Sequence, residues 1–162
     1  MKNTVLALTA LALSASAMAV TNPTANVVWS GFVPGSVTGE NLIITGLAGQ
    51  AIQNGQLIVA TDGTFTSTAV TLEARKYDEA TQDTGELADA TWTLSNAQVS
   101  YSSGASTAAK LVVSESGTAW QVGTELANAK NTLSLTVAQE QALSATAGGS
   151  VQAQVTLVAE KV

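Results

Sequence analysis

From Val151 to Ala159, apolar and polar side chains alternate. Val151, Ala153, Val155, Leu157 and Ala159 fall on one side of an extended chain. Gln152, Gln154, Thr156 and Glu160 fall on the other, and Val158 is the one break. Alternation with a period of two predicts a strand with one face in a core. Gly148-Gly149 marks the turn before it.

The same reading predicts strands over residues 41–47, 56–60, 68–75, 90–95, 98–102, 109–114, 118–122, 132–137 and 150–159. Val70, Leu72 and Ala74 alternate with Ala69, Thr71, Glu73 and Arg75. Leu133, Leu135 and Val137 alternate with Thr132, Ser134 and Thr136. Asn54-Gly55, Asp62-Gly63, Ser103-Gly104 and Ser116-Gly117 punctuate the runs. Short strands at this spacing predict an all-β antiparallel sandwich. Residues 124–131 and 138–146 lack a strand pattern and read as loops, each with room for a short helical turn. Residues 76–89 carry Asp78, Glu79, Asp83, Glu86 and Asp89. A calcium loop needs oxygen ligands at regular spacing around a glycine. These acids are irregularly spaced, so the segment reads as a solvated loop between two strands.

The first residues are an address. Met1-Lys2 is a positive start, Val5 to Leu13 is apolar, and Ala17-Met18-Ala19 fits a cleavage site. Residues 1–19 therefore read as a secretory signal peptide. The chain has 6 basic and 12 acidic residues. Removing Lys2 with the signal leaves 5 against 12, a net charge of −7. No basic cluster remains to bind nucleic acid or an anionic membrane surface. An aromatic content of 4% is too low for the girdles of an outer-membrane barrel. The sequence thus predicts neither a nucleic-acid partner nor membrane insertion.

The chain has no cysteine, although disulfides are available to an exported protein. Packing, strand pairing or contacts between subunits must hold it instead. It also has no histidine, which removes the commonest general base and metal ligand. No spacing among the twelve acids selects a catalytic pair. The expectation is a protein that is not an enzyme and has no catalytic residues, no metal site and no cofactor.

Trp29, Trp92 and Trp120 raise a sugar-binding reading, because aromatic faces stack on sugar rings. Trp92 and Trp120 lie within strand patterns, where a large aromatic belongs to the core. Trp29 lies near the start of the exported chain, where Ala25, Val27 and Trp29 form a small apolar stripe. Pro23 keeps the preceding residues out of a central strand. Two readings of residues 20–30 stand: a first strand of the chain's own sandwich, or a strand donated to another subunit.

The export signal, this strand-like extension, the Thr/Ser/Gly/Ala-rich body and the last strand with Gly149 near its start resemble a chaperone–usher fimbrial subunit, a pilin. Within that class, Trp29-Ser30, the run from Leu42 to Gly49 and the run from Asp62 to Leu72 are similar to common-pilus (Mat-type) major pilins. The chain departs from many pilins in lacking a disulfide and in having Lys161 where many have a penultimate aromatic. Both departures leave the details of chaperone recognition open.

The resemblance implies an immunoglobulin-like sandwich over residues 31–162 that lacks one strand. It implies a groove lined by Val151, Ala153, Val155, Leu157 and Ala159. Ala25, Val27 and Trp29 of a neighbouring subunit would fill that groove by donor-strand exchange. The implied partners are identical subunits, a periplasmic chaperone and an outer-membrane usher. The implied location is a fimbria on the cell surface, reached through the periplasm, and the implied role is adhesion or biofilm formation. The competing expectation is a secreted single-domain adhesin or carbohydrate-binding module that keeps its N-terminal strand. A secreted matrix or surface-layer sandwich that assembles without chaperone or usher is the third.

Overall fold

The computed structural model describes residues 41–102, 108–143 and 149–162. The signal segment, residues 20–30 with Ala25, Val27 and Trp29, and the Ser103-Gly104 turn lie outside the described residues. The described strands are β1 (Leu42–Thr45), β2 (Leu57–Val59), β3 (Phe65–Ser67), β4 (Val70–Asp78), β5 (Asp83–Leu87), β6 (Ala90–Tyr101), β7 (Val112–Glu115), β8 (Thr118–Trp120), β9 (Thr132–Gln139) and β10 (Val151–Lys161). Every pairing among them is antiparallel. The protein is an all-β sandwich.

β1 to β5 and β7 to β9 form the large sheet, which runs β1-β4-β9-β3-β2, with β5 on β4 and β7 and β8 beyond β9. β6 and β10 form the small sheet. The core lies between the two. From the large sheet come Leu42, Leu72, Ala74, Val113, Trp120, Leu133 and Leu135, and from the small sheet Ala90, Trp92 and Leu94. These are the inward positions of the alternating runs, so the period-two pattern directly built the core.

β6 joins two runs that the sequence predicts as separate strands, at residues 90–95 and 98–102. Ala90, Trp92 and Leu94 point inward, and then Ala97, Val99 and Tyr101 do. The parity changes because Thr156 of β10 opposes Asn96 while the next residue, Leu157, opposes Leu94. Ser95 is the extra residue of a β-bulge, which resets the phase without ending the strand.

The polar stretch 76–89 is also corrected. It is the end of β4, a turn and then β5, with Tyr77 opposite Thr84 and Asp78 opposite Asp83. Asp78 Oδ1 accepts hydrogen bonds from the Ala80 and Thr81 backbone N–H groups at 2.9 and 3.3 Å and so fixes the turn. All five residues of β5 are exposed, so no apolar face marked it as a strand. β3 escaped the pattern for a related reason: it is three residues long, with only Phe65 buried. β9 runs past Val137 to the buried Gln139. The Gln139 side chain is satisfied there, accepting from Lys110 N at 2.7 Å and donating to Gln141 O at 2.9 Å.

Two local devices hold the large sheet's periphery. Glu73 Oε2 accepts from Arg75 Nε at 2.8 Å and from Gly49 N at 3.2 Å, tying the 3-10 turn Leu47–Gly49 to β4. Hydrogen bonds from the backbone at Ala48, then from Arg75 and Gly49, hold the Glu73 carboxyl below its ordinary range despite some burial. Ser116-Gly117 is the predicted turn: both residues have positive φ, and the β7–β8 hairpin closes around them.

Candidate functional site

The small sheet has two edges, and they differ. On the outer edge of β6, residues 123–130 run alongside the strand. Ala90 and Lys130 exchange backbone hydrogen bonds at 3.0 and 3.1 Å. Leu126 N donates to Trp92 O at 2.9 Å, and Gly123 N donates to Leu94 O at 2.7 Å. Leu94 N donates to Thr124 O at 3.2 Å. The segment is irregular, yet it satisfies this half of the β6 edge. It is the loop that the sequence predicts, without the helical turn, and its backbone serves as an edge guard.

Side chains anchor the guard. Trp92 is fully buried and donates its Nε1–H to Lys130 O at 2.8 Å. Trp120 donates to Thr124 O at 3.1 Å. Lys130 Nζ meets Glu115 Oε2 at 2.7 Å. Burial pushes the Glu115 carboxyl up, but hydrogen bonds from Lys130 and Ser116 and the Lys130 charge outweigh it and lower the pKa. Trp92 and Trp120 are therefore core residues, as the strand pattern predicts. A cleft of about 170 Å³ beside Trp120 includes the Glu115–Lys130 pair in its wall.

The other edge belongs to β10. Among the described residues β10 pairs only with β6. Val151 lies opposite Tyr101, Ala153 opposite Val99, Val155 opposite Ala97, Leu157 opposite Leu94 and Ala159 opposite Trp92. The five predicted groove residues thus share one inward face. All five are half-buried, while Trp92 and Leu94 beside them are fully buried. Val155, Leu157 and Ala159 pack on the main core. The predicted break, Val158, points outward and is exposed.

β1 approaches β10 without pairing with it. The rim of the sandwich therefore has two neighbouring strands, one from each sheet, that are not hydrogen-bonded to each other. At the far end, Ser102 N donates to Ser150 O at 2.9 Å and Ser150 N to Ser102 Oγ at 2.8 Å. There Tyr101 Oη donates to Gly63 O at 2.8 Å, and its ring lies 6.5 Å from Phe65 between centroids. Burial raises the Tyr101 pKa, so this phenol keeps its proton and remains a donor.

An apolar, half-covered strand face next to a backbone edge with no partner among the described residues can do one thing well. It can accept an extended segment, through main-chain hydrogen bonds along the edge and apolar side chains on the face. Among the described residues, no three carboxylates converge as they would around a metal ion. No family model matches the chain, and no curated protein matches it.

Proposed function

We propose that this protein is the structural subunit of an extracellular fimbria, polymerising head to tail by strand donation. The observation that carries the reading is β10, eleven residues long, with a half-buried apolar face and an edge that pairs with nothing among the described residues. In this reading the rim between β1 and β10 receives a strand from a neighbouring subunit. Ala25, Val27 and Trp29 are the side chains it brings, on an immunoglobulin-like sandwich completed by that strand. A periplasmic chaperone covers the same rim before assembly, and an outer-membrane usher exports the subunit to the cell surface.

The energetics favour a long-lived joint. A strand of this length adds about ten backbone hydrogen bonds of roughly 1 kcal/mol each. Each buried apolar side chain adds about 1.5–3 kcal/mol before ordering costs. The contact is heterologous and does not close on itself, so repetition gives a filament. Trp92 and Trp120 are both buried, which leaves little indole surface to stack on a sugar and weighs against a carbohydrate-binding role for these two residues.

The test compares the exported chain, residues 20–162, with a copy lacking residues 20–30. The full chain should form SDS-resistant ladders, and the truncated copy should stay monomeric and capture a synthetic peptide of residues 20–30. A stable full-length monomer, together with a truncation that unfolds and captures no peptide, sinks the proposal.

A further inference from the structure

Charge is unevenly spread over this molecule. The chain has a net charge of −6, and five of its acids lie between Asp78 and Asp89, along and beside the β4–β5 hairpin. The outward face of the small sheet is the opposite case. Its cross-strand pairs include Asn96 with Thr156, Gln98 with Gln154 and Ser100 with Gln152. All six of these residues are exposed. The face bears one charge, Glu160, near one end. We propose that this face is a self-association surface that packs on the same face of a second copy, between neighbouring fibres. The proposal rests on the fibre reading above for its biological setting.

The chemistry favours a second copy as the occupant. Each amide side chain carries donors and an acceptor, and each hydroxyl carries both. A face built from them is self-complementary, so a two-fold, isologous contact satisfies both sides. Two acidic molecules repel, and here they can approach without burying a cluster of like charges. The area sets the strength. Two strands of this length present a strip ~35 Å long and ~10 Å wide, or about 350 Å². A stable pair needs about 800 Å² per partner. One contact is therefore too weak to hold two free subunits together, while a row of contacts along two fibres holds by multivalency.

The test uses an array that does not depend on polymerisation. The exported chain, biotinylated at its N-terminus, is coupled at high density to streptavidin beads, with excess free 20–30 peptide present to block strand exchange between beads. Wild-type beads should clump, and more so as salt screens the net negative charge. Beads carrying Gln98→Glu or Gln154→Glu should clump at least about tenfold less, since the lost contacts multiply along the array. Thr118→Glu, at an exposed position of β8 away from this face, adds the same charge and should clump nearly as well as wild type. Circular dichroism checks that each variant is folded. Dispersed wild-type beads at every salt concentration overturn the proposal, and so does equal clumping by Gln98→Glu. The ladder assay above reports separately on polymerisation, so failure of the fibre reading and failure of this face give different results.

Discussion

The two edges of the small sheet show how one protein treats the same hazard in two ways. An unpaired strand edge offers backbone donors and acceptors to any passing chain. On the first half of β6 the hazard is removed within the molecule: residues 123–130 pair with residues 90–94, held by Trp92, Trp120 and the Lys130–Glu115 ion pair. On β10 the described residues supply no such cover. Both strands have an apolar inward face, so hydrophobicity does not distinguish them. The difference is the presence of side-chain anchors. β6 has two indoles and a buried carboxylate within reach of its guard. The outward positions of β10 hold glutamines, a threonine, Val158 and Glu160, with no aromatic residue to pin a segment across them.

The largest expected effect falls on the guarded edge. Trp92→Ala removes a fully buried indole together with its bond to Lys130 O. It should cost about 3–5 kcal/mol in urea unfolding. A loss below about 1 kcal/mol, well under the usual cost of such a truncation, would mean that the guard does not depend on this anchor.

Next comes the open edge. Leu157→Asp places a carboxylate on the half-buried face of β10. It should cost about 1–3 kcal/mol of stability. In a copy lacking residues 20–30 it should abolish capture of the 20–30 peptide, measured by fluorescence anisotropy. The same substitution at exposed Val158 should leave capture intact. Equal loss from both would erase the distinction between the two faces of β10.

Glu115→Gln tests the ion pair that fastens the guard. With Lys130 part-exposed, the expected cost at pH 7 is about 2 kcal/mol, between the surface and buried limits. The Glu115 carboxyl has a folded-state pKa below its ordinary 4.5. Its contribution is therefore fully present above 4.5 and is lost as pH falls through the folded value. The stability gap between wild type and Glu115→Gln should narrow below pH 4.5, read from unfolding curves across pH. A gap that stays constant to low pH would show that the carboxylate charge contributes nothing.

The smallest effect belongs to a site remote from both edges. Gly117 has φ +83° in the β7–β8 turn, with no heavy atom within 4 Å of an added Cβ. Gly117→Ala should cost about 1 kcal/mol through backbone conformation alone. Peptide capture should not change. A change in capture would show that the rim and this hairpin are coupled.

Much of the fold was legible locally. Val151 to Ala159 announced β10 and its inward face, because alternation is a property of a strand by itself. Leu133 and Leu135 announced β9, and Ser116-Gly117 its neighbouring hairpin turn. Other features left no such trace. β5 has no buried residue, so its place beside β4 depends on backbone pairing and the Asp78 turn. The Ser95 bulge looks like a strand break in sequence, because one extra residue reverses the parity of every position after it. Lys130 and Glu115 are fifteen residues apart, and nothing in that interval marks them as partners.

By itself, then, the sequence determined most strands with one apolar face and the positive-φ turn at Ser116-Gly117, since each follows from side-chain type and short-range spacing. The tertiary structure alone decided which edges are paired. Backbone hydrogen bonds carry no side-chain code, and partners such as Ala90 and Lys130 are brought together only by the packing of distant strands. That decision closed the first half of the β6 edge with residues 123–130. Along β10 it left an apolar face beside an edge with no described partner.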